Sequence, residues 1–196
     1  MILPVIAYGD PVLRKVAKEI SKDHPKLDDI IANMWETQYH ANGVGIAAPQ
    51  VGLSLRLFVI DASPFAEDDD LSSEEQEVLK NFKKVFINPT IVEETGEEWA
   101  FNEGCLSIPD VREDVFRNET VVIEYYNENW EKQTETLTGL AARVVQHEYD
   151  HIEGVLFTDK LSPLKKRLIK GKLANITKGK VRVDYRMKFP QLKKKR

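Results

Sequence analysis

The segment QHEYDH at residues 146–151 constrains this chain more than any other feature of its 196 residues. His147 and His151 are four positions apart, so on a helix both imidazoles lie on one face and can reach a single cation. Glu148 stands beside the first histidine, where it can receive a proton from water held by that cation. Apolar residues upstream continue the same stripe, which indicates an inward face where polar groups need partners. The segment predicts a metal-dependent hydrolase, and two ordinary histidines are the alternative.

The third metal ligand decides which kind of site this is, because catalytic sites commonly combine three protein ligands with a position for water. In the longer protease pattern HExxHxxGxxH the third ligand is a downstream histidine, but Phe157 occupies that position. No histidine follows His151, and Glu153 is too close on the same helix to close the site. Asp159 and Asp184 remain formal alternatives. The ordinary metalloprotease interpretation is therefore disfavoured for lack of a ligand.

Upstream, the single cysteine of the chain is the best candidate for the third ligand. Cys105 lies in the glycine-containing segment 102–109, which we expect to be a loop that presents the thiolate to a cation. One cysteine forms no internal disulfide, and a nearby cation would keep its thiol deprotonated. A small buried hydrophobe is the alternative role. His24 is expected at the surface and His40 at the surface or half-buried. A sulfur donor with two imidazoles does not distinguish zinc from iron(II).

The remaining patterns predict an α+β fold, a single domain with antiparallel or mixed β-sheets packed around a central metal-binding helix that carries HExxH. Helices are expected over residues 25–41, 139–152 and 162–178, with a short helical turn at 10–11. Strands are expected over residues 55–61, 85–91, 119–126, 132–137 and 181–185, with a hairpin around 127–129. The acidic segment 63–82 is expected to be a solvated excursion with room for one helical turn, and no chemistry is assigned to it.

Charge is distributed unevenly along the chain. From Lys160 onwards there are 15 Lys and Arg residues and one acid, Asp184, a net charge of +14, whereas residues 1–159 carry −18. We therefore divide the chain into a catalytic region, 1–161, and a basic helix with a short strand, 162–196, in the same domain or as a tail. Such asymmetry suggests an interaction tail, with a merely solvated helix as the alternative. No apolar run reaches the roughly 20 residues of a membrane helix and no secretory signal is evident, so we expect a cytoplasmic protein without membrane contact.

Three segments, in this order, resemble the signature motifs of peptide deformylases. They are GVGIAAPQ at residues 43–50, EGCLS at 103–107 and QHEYDH at 146–151. DPVLR at 10–14 and FINP at 86–89 also resemble that family, and the resemblance covers roughly residues 4–161. One such motif would be weak, but three with consistent spacing are highly specific. The resemblance implies an enzyme that removes the formyl group from the N-terminal formyl-methionine of new polypeptides and releases formate.

The resemblance also implies roles for individual residues. The cysteine and the two histidines already named would be the metal ligands, and Glu148 would act as general base and then as general acid. The side-chain amide of Gln50 and the backbone N–H of Leu106 would donate hydrogen bonds to the formyl oxygen, where negative charge develops in the transition state. An ordinary polar loop residue is the alternative for Gln50.

The implied substrate is a nascent formyl-methionyl peptide. Gly45, with its neighbour Val44, would let that peptide approach the backbone closely, whereas a plain turn glycine is the alternative. The inward residues Leu140 and Val144 are candidate walls of a hydrophobic slot for the methionine side chain. Ordinary core packing is the alternative for both.

The resemblance suggests one divalent metal ion, natively iron(II), which zinc, nickel or cobalt can replace. In this family a C-terminal basic helix is thought to dock on the ribosome, and +14 over the last 37 residues would suit a phosphate-rich surface. The chain departs from the family pattern in the length of the insertion 63–82, in Ile152 where leucine is usual, and in its C-terminal segment. A binding module with a structural metal is the last alternative, although structural zinc sites usually have four protein ligands.

Overall fold

The computed structural model describes residues 1–190, which contain four helices and seven strands. The helices are α1 (Leu27–His40), α2 (Ser73–Lys80), α3 (Gly139–Ile152) and α4 (Pro163–Thr177). The strands are β1 (Val5–Ile6), β2 (Gly45–Ala47), β3 (Leu57–Asp61), β4 (Lys83–Cys105), β5 (Ile108–Tyr126), β6 (Lys132–Thr138) and β7 (Met187–Lys188). Short 3₁₀-helices cover Pro11–Arg14, Ala48–Val51, Ser63–Glu67 and Phe157–Lys160. The predicted α+β class is confirmed.

Strands β2, β3, β4, β5 and β6 form one antiparallel sheet in that spatial order, so every connection joins neighbours. The predicted hairpin between β5 and β6 is confirmed, with Tyr126 opposite Lys132. Strands β4 and β5 form the longest hairpin, and a two-residue turn, Leu106-Ser107, joins Cys105 to its partner Ile108. A second sheet is small, because β1 and β7 pair in parallel over two residues each.

Helix α3 is the central element, since ten of its fourteen residues are buried. It packs against β2, β3, β5 and β6, so the sheet curves around it. Gly139 begins the helix with φ at 58°, a left-handed conformation that favours glycine. The predicted bounds of this helix and its predicted inward face are both confirmed.

Helix α1 covers the opposite face of the sheet. Leu27, Ile31 and Met34 recur at helical spacing and are buried together with residues of β2 and β3. Asn42 has a left-handed φ of 54° just after the helix, where asparagine is tolerated better than most residues. The predicted helix over 25–41 is therefore confirmed to within two residues.

Strands β4 and β5 extend much further than the predicted 85–91 and 119–126, so those boundaries were wrong. The added part of β4 is mostly exposed and acidic, whereas the added part of β5 alternates buried and exposed residues, with the charged Arg117 at a buried position. Charged residues in both parts hide the apolar alternation on which a strand prediction depends. Cys105 is consequently the last residue of β4, and only the two residues after it form the turn. The expected loop over 102–109 was wrong, because strand pairing continues up to the cysteine.

The insertion 63–82 is also more ordered than expected. Helix α2 has eight residues and begins with a capping box, in which the Ser72 hydroxyl accepts from the Glu75 N–H and the Glu75 carboxylate accepts from the Ser72 N–H. Leu79 and Phe82 are each 3% exposed and anchor the segment in the core. Most of the segment is exposed, as expected of a solvated excursion, but its helix is longer than the one turn predicted because Leu79 and Phe82 hold it against the core.

The C-terminal helix α4 begins after Ser162, whose hydroxyl caps it, with Pro163 in the first turn as predicted. Ile169 and Ile176 are buried against the rest of the fold. The predicted strand 181–185 was wrong, since the observed strand is β7, set by its pairing with β1. The basic residues after Pro190 lie outside the described part of the chain. Within residues 1–190, no helix combines the length and apolar character that crossing a bilayer requires.

Candidate active site

A cysteine from the end of β4 meets two histidines at the inner face of α3. Cys105 ends β4, whereas His147 and His151 lie one turn apart on the helix. Their ligand atoms all lie within 4.8 Å of one another, and the Cys105 Sγ is 3.4 Å from the His151 Nε2. The structure thus brings together the three residues that the sequence proposed as metal ligands.

This donor set fits a divalent cation. A thiolate sulfur and two imidazole nitrogens are accepted by both zinc and iron(II). Cys105, His147 and His151 make up the whole group within the described residues, and three is the number of protein ligands that catalytic sites commonly use. His151 is 1% exposed, so a cation at this point would be held away from bulk solvent on the helix side.

The ring of His147 is oriented by a buried carboxylate. Its Nδ1 lies 2.9 Å from the Glu103 Oε2, which leaves Nε2 for a cation, the arrangement typical of metal-binding histidines. Burial alone raises the pKa of Glu103, but hydrogen bonds from His147 and Arg117 hold that pKa far below its usual range. Glu103 therefore stays ionised and can keep a hydrogen-bonded proton on the Nδ1 of His147.

Two buried arginines balance the charge of Glu103. Arg117 donates to both of its carboxylate oxygens, at 2.7 and 3.0 Å, and also to Asp150 at 2.7 Å. Arg143 is 2% exposed, donates to the same carboxylate at 3.1 Å and stacks on Trp99, 4.4 Å from its guanidinium carbon. Sequence reasoning missed this network. The signal that could have found it is an arginine one helical turn before His147 on an inward face.

Glu148 borders the same space from α3. Its side chain is buried, and its Oε2 has no hydrogen-bond partner among the described residues. Burial raises the pKa of Glu148 to about 7, so the group can take up and release a proton near neutrality. A Cβ added to Gly45 would lie 2.6 Å from the Glu148 Oε1. The carboxylate thus rests directly on the backbone of β2, where only glycine leaves enough room.

Gln50 is the second predicted polar residue at the site, and its amide is held at both ends. Its Oε1 accepts from the Ala47 N–H at 2.9 Å, which assigns Nε2 to the other side. That Nε2 is 3.3 Å from the Ser107 hydroxyl and 3.4 Å from the Cys105 Sγ. A buried amide donor, 2% exposed, is therefore directed at the cluster of candidate metal-binding atoms.

The site opens into a cleft of about 500 Å³. Its polar lining includes Gln50, Cys105, His147 and Glu148, and the predicted residues Val44, Gly45, Leu106 and Val144 line it as well. Leu140 does not line the cleft, so the structure does not bring it together with the other predicted site residues. It lies one turn before Val144 on α3 and packs into the core instead.

Aromatic residues complete the apolar wall. Phe65 and Phe101 line the cleft with their ring centroids 6.0 Å apart and their planes nearly perpendicular. Phe65 belongs to the insertion 63–82, to which the sequence assigned no chemistry. No local pattern identifies it, because its place beside β4 depends on how the insertion folds back.

Known proteins are similar to this chain in both sequence and fold. A family model for polypeptide deformylase matches residues 2–167. A peptide deformylase of Christiangramia forsetii is 69% identical over 196 residues and is covered completely, as is this chain. A peptide deformylase structure from Legionella pneumophila has a TM-score of 0.77 at 37% identity, covering 93% of this chain and 99% of that one. The Thermotoga maritima peptide deformylase structure has a TM-score of 0.72 at 40% identity, covering 83% and 99%.

The sequence similarity extends over the whole chain, and the matched region contains all three motif segments. The matched region also includes Cys105, His147 and His151, the buried Glu148 and the residues that line the cleft beside them. The structural matches reproduce the same α+β arrangement. The chain therefore belongs to the polypeptide deformylase family, and its reaction is the metal-dependent removal of the N-terminal formyl group.

Proposed function

We propose that Cys105, His147 and His151 hold one divalent cation, which is iron(II) in the native protein and replaceable by zinc, nickel or cobalt. The mutual distances of the donor atoms support a common site, and the mixture of sulfur and imidazole suits these metals. When bound, the cation supplies positive charge that acidifies water and polarises the formyl oxygen. Metal analysis after anaerobic purification tests the assignment, and zinc as the major metal would contradict iron.

Glu148 carries the proton in this proposal. Its carboxylate is buried and borders the cleft, so it is within the same water-accessible space as the thiol and imidazole groups. It accepts a proton from the attacking water and then delivers that proton to the departing amine nitrogen. The free Oε2 of this side chain is the observation that carries the proposal, because it can accept a proton without breaking an existing hydrogen bond.

Gln50 Nε2 and the backbone N–H of Leu106 are the proposed donors to the formyl oxygen. The fixed orientation of the Gln50 amide supports this role, since a donor that is already aimed costs no reorganisation as charge develops. Loss of one such donor raises the barrier by about 3 kcal/mol. Gln50→Ala should therefore lower kcat by about 100-fold.

The proposed substrate is the formyl-methionyl end of a nascent polypeptide in the cytoplasm. Gly45 and Val44 form the β2 side of the cleft, and Val144 forms the α3 side. Gly45 lies against the Glu148 carboxylate, and Val144 lies one turn before Glu148 on α3. A methionine side chain beside the reacting carbon would therefore contact these residues. An unbranched side chain fills such an irregular apolar space well.

Replacement of Glu148 by glutamine is the direct test. Glu148→Gln should retain the metal but lose about 100- to 10,000-fold in formate release from formyl-Met-Ala-Ser. Glu153→Gln is the matched control, because this glutamate follows α3 and pairs with Arg56 rather than facing the cleft. Full turnover by Glu148→Gln would refute the proton-carrying role. If the unsubstituted enzyme cleaved the internal peptide bonds of an unblocked protein, that result would instead favour a metalloprotease.

We further propose that the basic helix α4 docks on the ribosome. Lys166, Arg167 and Lys170 are exposed, and binding to phosphate would weaken steeply as salt rises. Deletion of the whole segment would also remove the buried Ile169 and Ile176, so charge reversal of the exposed residues is the cleaner test. Lys166→Glu with Lys170→Glu should abolish co-sedimentation with ribosomes at low salt and leave deformylation of a short peptide unchanged. Unaltered co-sedimentation would remove the proposal.

A further inference from the structure

The turn Leu106-Ser107 is held from outside by two segments that flank the small β1–β7 sheet. The backbone N–H of Tyr8, two residues after β1, donates to the carbonyl oxygen of Ser107 at 2.9 Å. The hydroxyl of Tyr185, two residues before β7, donates to the carbonyl oxygen of Leu106 at 2.8 Å. Both carbonyl groups of the turn therefore have a donor from the terminal segments, while the Ser107 hydroxyl contacts Gln50 on the cleft side.

External support matters here because the β4–β5 ladder is interrupted at this point. Gly104 pairs with Arg112, but the next residue, Cys105, pairs with Ile108, so the register shifts by three residues. The ladder alone therefore does not set the orientation of the two-residue turn. Only the φ and ψ rotations of Leu106 separate its N–H from its carbonyl group, so holding that carbonyl also restricts the N–H.

We propose that Tyr185 is a positioning residue for deformylation, which orients the Leu106 turn through the hydrogen bond from its hydroxyl. The inference rests on the proposed role of the Leu106 N–H as a donor to the formyl oxygen. The Tyr185 ring is half-buried against the core cluster that also contains Leu106, so the hydroxyl is held in place by packing. Tyr185 lies beyond residues 2–167, which the family model matches, so this support comes from the C-terminal segment of the chain.

Tyr185→Phe is the test, since it removes the hydroxyl and keeps the ring. We expect kcat for formyl-Met-Ala-Ser to fall about three- to tenfold, the value of one net hydrogen bond, with KM changed less than twofold. Metal content should be unchanged. Tyr125→Phe is the matched control, because it removes a hydroxyl bond to Glu135, and neither residue lines the cleft. It should lower stability without lowering kcat.

Three outcomes would overturn the inference: a wild-type kcat for Tyr185→Phe, a loss confined to KM, or a loss that metal content accounts for. Gln50→Ala distinguishes this failure from failure of the oxyanion proposal. If Gln50→Ala is impaired and Tyr185→Phe is not, only the positioning role is wrong. If Gln50→Ala also retains full kcat, the proposed donors to the formyl oxygen are wrong, and the role of Tyr185 is wrong with them.

Discussion

Glu103 is the buried carboxylate that orients His147, and its replacement by glutamine tests how much the site depends on that charge. The carboxylate receives four hydrogen bonds, two from Arg117, one from Arg143 and one from His147. Glutamine has almost the same shape, so Glu103→Gln removes the negative charge and turns one acceptor oxygen into a donor. Arg117 then keeps its ion pair with Asp150, whereas Arg143 loses the one carboxylate with which it pairs among the described residues.

The expected magnitude follows from burial. Glu103 is 4% exposed and both arginine side chains are 2% exposed, so solvent cannot replace the lost charge. Breaking a buried ion pair on one side typically destabilises a protein by about 3–5 kcal/mol. Since whole domains are stable by about 5–15 kcal/mol, the variant should lose a large fraction of its stability, with Tm lower by about 10 °C. Disturbing the partner of a metal-binding histidine should also weaken metal affinity about 10- to 100-fold.

Urea unfolding, followed by tryptophan fluorescence, measures the first effect. The titration should be run with a chelator, because bound metal stabilises the folded state by mass action and would mix the two effects. Zinc titration of the folded variant then measures affinity separately. Glu124→Gln is the matched control, because its ion pair with Lys132 has side chains 38% and 57% exposed, so solvent screens it and its loss should change stability little.

The reasoning would be refuted if the free energy of unfolding of Glu103→Gln lay within about 1 kcal/mol of that of the unsubstituted protein, as that of Glu124→Gln should. That result would mean that the two arginines do not need this carboxylate. An intact zinc affinity would separately refute the role of Glu103 in orienting His147.

Three further predictions follow from the same structure. Gly45→Ala should lower kcat/KM about 100-fold, because the new Cβ displaces the Glu148 carboxylate, whereas Gly171→Ala, with open space around it, should leave formate release unchanged. Phe65→Ala should reduce the preference for formyl-Met over formyl-Ala peptides about three- to tenfold, and an equal loss for both peptides would argue against contact with the methionine side chain. The pKa of Asp159 is raised by burial but lowered more by hydrogen bonds from Arg14 and a backbone N–H, so its folded-state pKa lies below the unfolded value. The contribution of this carboxylate to the free energy of unfolding is therefore complete above about pH 4 and is lost as pH falls through the folded-state pKa. Asp159→Asn should make the free energy of unfolding fall less steeply as the solution is acidified.

The metal-ligating trio could be proposed from the sequence for two different reasons. The spacing of His147 and His151 is a local property of a helix, so it needs no tertiary information. Cys105 followed from elimination, since the chain has one cysteine and no histidine after His151. Local patterns also predicted α3 correctly, because a buried helix shows its inward face as a continuous apolar stripe.

Predictions failed where long-range pairing outweighs local pattern. The added lengths of β4 and β5 are strand because each pairs with the other, although charged residues interrupt the apolar alternation in both sequences there. Leu140 shares the inward stripe of α3 with Val144, but the depth at which each residue lies depends on what packs beside the helix. The two-residue strand β7 exists only through its pairing with β1.

The sequence by itself was enough to propose the metal-donor set and the proton carrier next to it and to identify the family, because those residue types and spacings lie within short segments. Tertiary structure alone decided what surrounds them. Arg117 reaches Glu103 across a hairpin, Phe65 reaches the cleft from an insertion, and Tyr185 reaches Leu106 from the far end of the chain. Each of these contacts joins segments whose proximity is set by burial of the whole core, and no local pattern records that proximity.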